Sequence, residues 1–309
     1  MFISVLKMVL PVFITFLLGY FAKEKQIIKI GGLEGLKTLV SHFTLPAVLC
    51  YAFATANYSQ TIVFIGLTVF ISCVLGLIIG FALKKFAKPY PRYFPFLLTN
   101  FEGGMLGYSL FGLLYPNAIS NFAMFDVGQT LCAFTVFITT LKAVNGEKPT
   151  LGGVLKGMIS NQIFIAIMIG LISGICGIGA WLQGDKVGQI IQESIQFIAA
   201  PTSMIILFIV GYELNFVKEL IVPVLKTVMF RILVMGTLLI ISNAVIFTFV
   251  PYDKSIFVAM LLAYSLPAPY IIPLFSETIE DKAYISTTLS IQTLLGILFF
   301  IGIAIFSLM

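Results

Sequence analysis

The chain has 309 residues, of which 60% are hydrophobic and only 10% are charged, and its mean hydropathy is +1.08. Soluble domains carry about 25% charged residues, so this composition excludes a water-soluble globular fold and indicates a membrane protein with the lipid bilayer as partner. The net charge of +5 is typical of basic loops in such a protein and does not indicate nucleic-acid binding. The cysteines lie inside apolar runs, so no disulfide framework, metal site or cofactor is expected at Cys50, Cys73, Cys132 or Cys176.

Ten apolar segments are long enough to cross a bilayer, since a transmembrane helix needs roughly 20 predominantly apolar residues. The links between them are short, and none has the polarity of a soluble domain. The first segment is interpreted as a retained span because no small-residue cleavage site follows it. The sequence therefore predicts an all-α membrane protein with ten transmembrane helices. In chain order the segments are 3–22, 36–56, 61–83, 93–115, 119–141, 157–182, 190–212, 221–250, 255–276 and 284–308.

Lysine and arginine are distributed unevenly between the links. The links after the odd-numbered segments, with their flanks, hold fifteen of the eighteen basic residues, and Arg231 is counted among them. Lys7, Lys186 and Lys254 lie on the other side. Because cytoplasmic loops carry an excess of basic residues, both termini are predicted on the extracytoplasmic side of the cell membrane.

The two halves of the chain share features at matching positions. Pro46 in the second segment and Pro201 in the seventh lie 155 residues apart, about half the chain. The fourth segment is interrupted by "NFEGG" and the ninth by "SLPAPYIIP". Because each half has an odd number of segments, the second half must insert upside down, as in transporters built from inverted repeats. The sequence predicts one five-helix repeat at 1–150 and a second, inverted one at 151–309.

The interruptions predict broken helices. Pro267, Pro269 and Pro273 each lack an amide hydrogen and disfavour helical geometry in the preceding residue. Gly103 and Gly104 make non-helical backbone angles accessible in the fourth segment. In a membrane, such breaks are tolerated only inside protein or beside a water-filled cavity, so two pairs of half-helices are expected to cross near mid-membrane. The alternative for the fourth segment is a continuous helix whose glycines allow close helix packing.

With this layout, with "LP" opening the second segment and with an Asn/Gly-rich fourth segment, the chain resembles the auxin efflux carrier family. That resemblance implies a fold similar to that of bile-acid sodium symporters. It also implies a substrate beside the crossing, a scaffold and a transport unit that move against each other, and small carboxylates as substrates. Tyr108 and Ser109 stand where the family pattern has a proline, and Glu102 is not a usual feature of the family.

Polar residues near the interruptions are the candidate binding groups. A carboxylate at mid-membrane costs roughly 2.5–3.5 kcal/mol on insertion scales, so Glu102 is expected to face the protein interior. It can exchange a proton, bind sodium together with Asn100, Gln292 and freed carbonyl oxygens, or serve the structure alone. Asp126 and Gln129 share a helix face that meets either the cavity or the outer headgroups. The candidate substrate-binding residues are Asn100, Gly103, Gly104, Pro267, Ala268, Pro269, Tyr51 and Ser203, the last two by symmetry alone. The candidate ion-coupling residues are Glu102, Asn100, Asp126, Gln129 and Gln292.

The sequence has no motif of an ATPase, a metalloprotease, a serine hydrolase or a zinc site, so no enzymatic activity is expected. The leading hypothesis is a secondary active transporter that moves a small organic solute, with carboxylates favoured, by alternating access coupled to a proton or sodium gradient. Two alternatives stay open, which are a ten-span drug/metabolite-type exporter with unbroken helices and a passive channel. The sequence leaves a homodimer open as the oligomeric state.

Overall fold

The structure is a computed structural model that describes residues 2–56, 60–148 and 150–309. Throughout these ranges the regular secondary structure is helical, without any strand. Seven helical stretches are long and apolar enough to cross a membrane, and a bent pair of helices adds an eighth if it is counted as one span. The predicted all-α, multi-pass architecture is confirmed at this level. The seven stretches are Leu6–Glu24, Ile30–Ala54, Thr61–Phe86, Pro116–Val144, Lys186–Glu213, Lys218–Phe249 and Ile279–Leu308.

The α-helices of the described ranges are numbered here in chain order. The first half holds α1 (Phe2–Glu24), α2 (Ile30–Leu39), α3 (Leu45–Ala54), α4 (Gln60–Leu83), α5 (Phe94–Leu97), α6 (Tyr108–Leu114), α7 (Ile119–Cys132) and α8 (Ile138–Val144). The second half holds α9 (Leu151–Ile159), α10 (Gln162–Ile175), α11 (Ile178–Gly184), α12 (Lys186–Ala199), α13 (Thr202–Glu213), α14 (Ile221–Phe249), α15 (Lys254–Ser265) and α16 (Ile279–Leu308). Short π-helical turns extend some of these helices, at Val40–Thr44, Gly103–Gly107 and Ala133–Phe137. Within the described ranges, four 3-10 turns lie at Lys84–Phe86, Pro116–Ala118, Lys218–Leu220 and Ile272–Phe275.

The seven long stretches coincide with seven of the ten predicted segments, and the fourth, sixth and ninth segments are each divided by a break. The breaks predicted in the fourth and ninth segments are present, at 98–102 and at 266–271. The break in the sixth segment is not predicted by the sequence analysis. There α10 and α11 meet at 74°, and Gly177 adopts the left-handed φ of 76° that glycine accommodates without strain.

Several helices begin at a polar residue whose side chain satisfies the first free amides. Asp253 caps α15 by accepting hydrogen bonds from the amides of Ser255 at 2.8 Å and Ile256 at 3.0 Å, and from the Ser255 hydroxyl at 2.5 Å. The hydroxyl hydrogen bond and the two amides hold the pKa of the Asp253 carboxyl below its usual value. This cap places the start of α15 just outside its apolar run.

The helices pack in two groups. In group A, α1 lies along α13, and α3 lies along α10 and α12. The α1–α13 contact is close at Gly19, because a Cβ added there would lie 2.0 Å from the carbonyl oxygen of Phe208. In group B, α4 packs against α7 and α14, and α15 packs against α16, α14 and α7. The groups meet where α13 contacts α6 and the Gly103–Gly107 turn, where α1 contacts α16, and where α3 contacts α7.

A polar clamp joins three links at one end of group B. Arg92 pairs with Glu277 at 2.7 Å and donates to the carbonyl of Val144 at 3.3 Å. The neighbouring Tyr93 hydroxyl donates to the carbonyl of Phe275 at 2.9 Å. The hydrogen bond with Glu277 raises the pKa of the Arg92 guanidinium. Because these residues precede α5, end α8 and precede α16, the clamp positions the ends of both interrupted segments.

Candidate functional site

Residues 98–102 and 266–271 meet in the interior, and together they are called the crossing. The backbone N–H of Glu102 donates to the carbonyl oxygen of Pro267 at 2.9 Å, which joins the two segments directly. Asn100 is fully buried and adopts a positive φ of 52°, a conformation that asparagine tolerates better than most residues. Its Nδ2 donates to Gln129 Oε1 at 3.3 Å, which ties the crossing to α7.

Pro267 and Pro269 have no backbone N–H to donate. The backbone N–H of Ala268, which lies between them, is satisfied by the side chain of Gln292. The Ala268 N–H donates to Gln292 Oε1 at 2.9 Å, and Gln292 Nε2 donates to the carbonyl of Leu97 at 3.0 Å. The buried side-chain amide of Gln292, on α16, therefore hydrogen-bonds to both interrupted segments. Pro267, Ala268 and Pro269 are all buried, as expected for a break that the protein encloses.

The Glu102 carboxylate accepts hydrogen bonds from backbone N–H groups on both sides of the crossing. Its Oε1 accepts from the Met105 N–H at 3.2 Å, at the start of the Gly103–Gly107 turn. Its Oε2 accepts from the Tyr270 N–H at 2.8 Å, just before the Ile272–Phe275 turn. The Glu102 side chain therefore caps the starts of both helical turns. Because Glu102 is half-buried, it also lies at the accessible edge of the crossing.

Arg231 is the principal residue that the sequence analysis misplaces. The sequence predicts it in the flank of a basic link, but it lies inside α14 and is only 4% exposed. Its Nη1 donates to the carbonyls of Leu97 and Thr99 at 3.1 and 3.2 Å, and its Nη2 donates to the carbonyls of Asn100 and Leu266 at 2.7 Å each. The positive-inside count is wrong for this residue because the carbonyls freed by the two breaks offer a buried guanidinium full hydrogen bonding.

Asp126 and Gly103 come into contact beside the crossing. Asp126 is 1% exposed, and a Cβ added to Gly103 would lie 2.2 Å from its Oδ1. The Tyr108 hydroxyl faces the same carboxylate. In the part of the chain that the structure describes, Asp126 Oδ1, Tyr108 Oη and Asn100 Oδ1 are all buried without a hydrogen-bond partner. Of the two orientations left open for Asp126, the structure therefore places it inside, next to the fourth segment.

The structure brings most candidate residues together and leaves two apart. Asn100, Glu102, Gly103, Asp126, Gln129, Pro267, Ala268, Pro269 and Gln292 lie at the crossing or in contact with it. Gly104 is next to them and open, since a Cβ added there would have only Glu102 Oε1 within reach, at 3.9 Å. Tyr51 instead accepts from Gln196 Nε2 of α12 at 3.2 Å, and Ser203 is half-buried on α13. Among the described residues, no hydrogen bond joins Tyr51 or Ser203 to the crossing.

Hydroxyl groups that the sequence analysis did not select surround the crossing. Thr99 Oγ1 donates to the carbonyl of Cys73 in α4 at 2.8 Å. The Tyr264 hydroxyl lies 2.9 Å from Ser72 Oγ and 2.6 Å from Ser242 Oγ, which links α15 to α4 and α14. Serine and threonine are common in membrane helices, so their types alone do not identify them, and only the packing brings them to one place.

A cavity of about 430 Å³ lies between α14, α15 and α16, with Arg231 and Gln292 among its lining residues. Its lining is mostly apolar, and Ile232 and Phe299 on its rim are 44% and 45% exposed. Because all three helices belong to group B, this cavity does not lie between the groups. The apolar lining offers few partners to a small polar solute, since Arg231 and Gln292 are both already bonded to the crossing.

No metal centre is found among the residues described: no three His, Cys, Asp or Glu side chains lie close enough together to hold a metal ion. The oxygen-rich crossing offers amide, hydroxyl and carboxylate groups, which suit a proton or an alkali cation rather than a transition metal. Comparison with known proteins adds no relative, because no protein-family model and no curated protein matches this chain.

Proposed function

We propose that this protein is a secondary active transporter that moves a small organic solute across the cytoplasmic membrane. Ten spans form two inverted five-helix repeats, and alternating access is coupled to a proton or sodium gradient. The observation that carries the proposal is the crossing, where two interrupted helices bond to each other deep inside the protein through Glu102 and Pro267. Broken helices with buried polar groups at mid-membrane are the usual construction of a solute site in such transporters.

Breaking two helices in lipid is costly, which is why the interruptions favour a function. Each free amide or carbonyl left in hydrocarbon costs several kcal/mol, on the order of 2–7 kcal/mol for an unpaired group. This chain provides Arg231, Gln292 and the Glu102 side chain to satisfy those groups. A continuous helix would need none of them. An exporter with unbroken fourth and ninth helices does not fit this arrangement.

The helix contacts support an inverted repeat. The first segment of each half packs on the second segment of the other half. Thus α1 of the first half packs on α13, and α10 of the second half packs on α3. Within each half the third segment packs on the fifth, as α4 on α7 and α14 on α16. Contacts that occur in such pairs are expected when two halves share one topology and insert in opposite directions.

The two groups of helices suggest which parts move. Group A corresponds to the first, second, sixth and seventh segments, and group B holds both breaks. Group A meets the crossing where α13 contacts the Gly103–Gly107 turn, beside the half-buried Glu102. A shift of group B along α13 would expose this edge of the crossing to one side of the membrane and then to the other.

Charge restricts the solute. A negative Glu102 repels an anionic solute at the accessible edge, while the nearby Arg231 attracts one. Carboxylates remain the first candidates if Glu102 is neutralised during binding, and neutral, zwitterionic or cationic solutes are the alternatives otherwise. With Arg231 removed from the basic links, fourteen of the remaining seventeen basic residues still lie on the side assigned to the cytoplasm. The termini are accordingly proposed outside.

The test starts with ligand binding, because a solute that binds only the folded protein raises its apparent melting temperature in proportion to the logarithm of concentration. Purified protein is screened against small carboxylates, aromatic acids and amino acids, with and without sodium. Solutes that stabilise it are then followed into proteoliposomes under imposed pH or sodium gradients. Saturable, gradient-driven uptake is expected, and it should be lost in the double variant Pro267→Ala/Pro269→Ala. Non-saturating flux that ignores both gradients would indicate a channel and contradict the proposal.

A further inference from the structure

The crossing already contains a cation of its own. In transporters with broken helices, sodium is commonly bound by the carbonyls freed at the breaks. Here the guanidinium of Arg231 donates to four of these carbonyls, two of them from Asn100 and Leu266. The amide oxygen of Gln292, another candidate sodium ligand, accepts from Ala268. The carbonyl set that would hold sodium is therefore occupied by a tethered positive charge.

The two carboxylates near the crossing have opposite surroundings. Both oxygens of Glu102 accept backbone amides, an arrangement that stabilises the ionised form. Asp126 Oδ1 is buried without a hydrogen-bond partner among the described residues, and the groups beside the carboxyl are the hydroxyls of Tyr108 and Thr130, which can accept a hydrogen bond as well as donate one. An ionised carboxylate with an unpaired oxygen in a low-dielectric interior is strongly unfavourable, whereas a carboxylic acid can be buried at much lower cost.

Space distinguishes a proton from a sodium ion at Asp126. Its Oδ1 lies against the backbone of Gly103, so closely that even one added carbon would overlap it at 2.2 Å. A sodium ion with its shell of oxygen ligands needs room on that side. A proton needs none, and the unpartnered hydroxyl oxygen of Tyr108 beside the carboxyl can accept a hydrogen bond from it.

We infer that Asp126 carries a proton in this conformation and that this proton is the coupling ion of the carrier. Coupling rests on the transport function proposed above, whereas protonation of Asp126 does not. When group B moves, water reaches the carboxyl, the O–H bond of Asp126 breaks, and the proton passes to water on that side. The carboxylate left behind takes a proton from the opposite side after the reverse movement.

The other charged and titratable groups around Asp126 are few in the described chain. Glu102 and Tyr108 face it, and no basic side chain pairs with it. The helices packed against α7 are α3, α4, α6 and α15, and their remaining titratable residues do not hydrogen-bond to Asp126. Those residues, with the cysteine of α7 itself, are Cys50, Tyr51, Cys73, Lys254, Tyr264 and Cys132.

Infrared difference spectroscopy on protein in lipid tests the inference directly, because a protonated carboxyl group has its own absorption band. At neutral pH the wild-type protein is expected to have this band, and it should be absent in Asp126→Asn. It should persist in Glu102→Gln and in the exposed control Glu213→Gln. A wild-type protein without the band, or a band lost in Glu102→Gln but not in Asp126→Asn, would overturn the inference.

Two measurements on the unmodified protein keep the inference testable even if Asp126→Asn does not fold. The apparent melting temperature should fall as the pH rises from about 4 through neutral, because over that range the folded state keeps on Asp126 a proton that the unfolded state has lost. Replacing choline chloride by sodium chloride at constant ionic strength should leave the melting temperature unchanged. A sodium-dependent increase would instead show that the folded protein binds sodium and would contradict the proton as the coupling ion. If no solute is ever transported but Asp126→Asn lacks the band, protonation stands and the transport function fails.

Discussion

The backbone N–H of Glu102 donates to the carbonyl oxygen of Pro267 at 2.9 Å, and this hydrogen bond joins the interrupted segments of the two halves of the chain. Three side chains reinforce it. Glu102 accepts the Tyr270 amide, Gln292 bonds Ala268 and Leu97, and Arg231 bonds carbonyls of both segments. At the crossing, backbone N–H groups freed by the two breaks therefore donate to the Glu102 carboxylate, and freed carbonyl oxygens accept from the Arg231 guanidinium.

Two neighbouring glycines are predicted to respond differently to alanine. Gly103→Ala places a Cβ 2.2 Å from Asp126 Oδ1, whereas at Gly104 the nearest atom lies at 3.9 Å. Gly103→Ala should lower the free energy of unfolding by about 1–3 kcal/mol, the usual cost of overpacking. Gly104→Ala is the matched control and should not destabilise the protein, since alanine favours helix more than glycine. Thermal unfolding in detergent measures both, and equal effects would contradict this packing.

Arg231 is predicted to be essential for folding rather than for membrane topology. Arg231→Met leaves four buried carbonyls without their donor and should lower the free energy of unfolding by about 3–5 kcal/mol. Arg231→Lys should recover only part of that loss, because an ammonium cannot reproduce the planar fork of donors. The exposed Lys226 on the same helix provides the control, and Lys226→Met should change stability by less than about 0.5 kcal/mol. Similar melting temperatures for Arg231→Met and wild type would show that the buried position is wrong.

The amide contacts of Glu102 predict a loss of stability in Glu102→Gln. In Glu102→Gln one carboxylate oxygen becomes an NH₂ group, which cannot accept from Met105 or Tyr270. One buried amide then loses its acceptor, at a cost of about 1–3 kcal/mol. Glu219→Gln, at an exposed position, is the matched substitution and should be neutral. A Glu102→Gln protein as stable as wild type would mean that the carboxylate does not cap the starts of these two helical turns.

The cap of α15 predicts one part of the acid sensitivity. Hydrogen bonds from Ser255 and Ile256 hold the pKa of Asp253 below its usual value. A depressed carboxyl pKa contributes stability that is present above the unfolded value of about 3.9 and is lost as the pH falls through the folded pKa. Below about pH 4, wild type should therefore lose melting temperature faster than Asp253→Asn, which still caps the helix but does not titrate there. Ser255→Ala should reduce the same acid dependence, and parallel curves for all three proteins would refute the assignment.

Much of the architecture follows from local sequence. Runs of apolar residues specify helices of membrane length, and seven of the ten predicted segments are recovered as such. Three prolines near Ala268 and two glycines after Glu102 predict where helices break, because proline lacks a donor and glycine accepts non-helical angles. The bend at Gly177 does not follow from local sequence, since a single glycine in an apolar run predicts a break only weakly.

The sequence by itself determined that this is an all-helical membrane-type chain, which residues interrupt it, and which polar residues gather near those interruptions. Only the tertiary structure decided what each polar side chain meets. Arg231 resembles a loop cation in the sequence because its neighbours Lys218 and Lys226 are basic, yet it turns inward onto carbonyls from two other segments. Asp126 lies on a face that could meet lipid headgroups or protein, and only the approach of Gly103 encloses it. The physical reason is that charge and hydropathy are properties of one residue, whereas a hydrogen-bond partner is supplied by whichever distant part of the chain packs beside it.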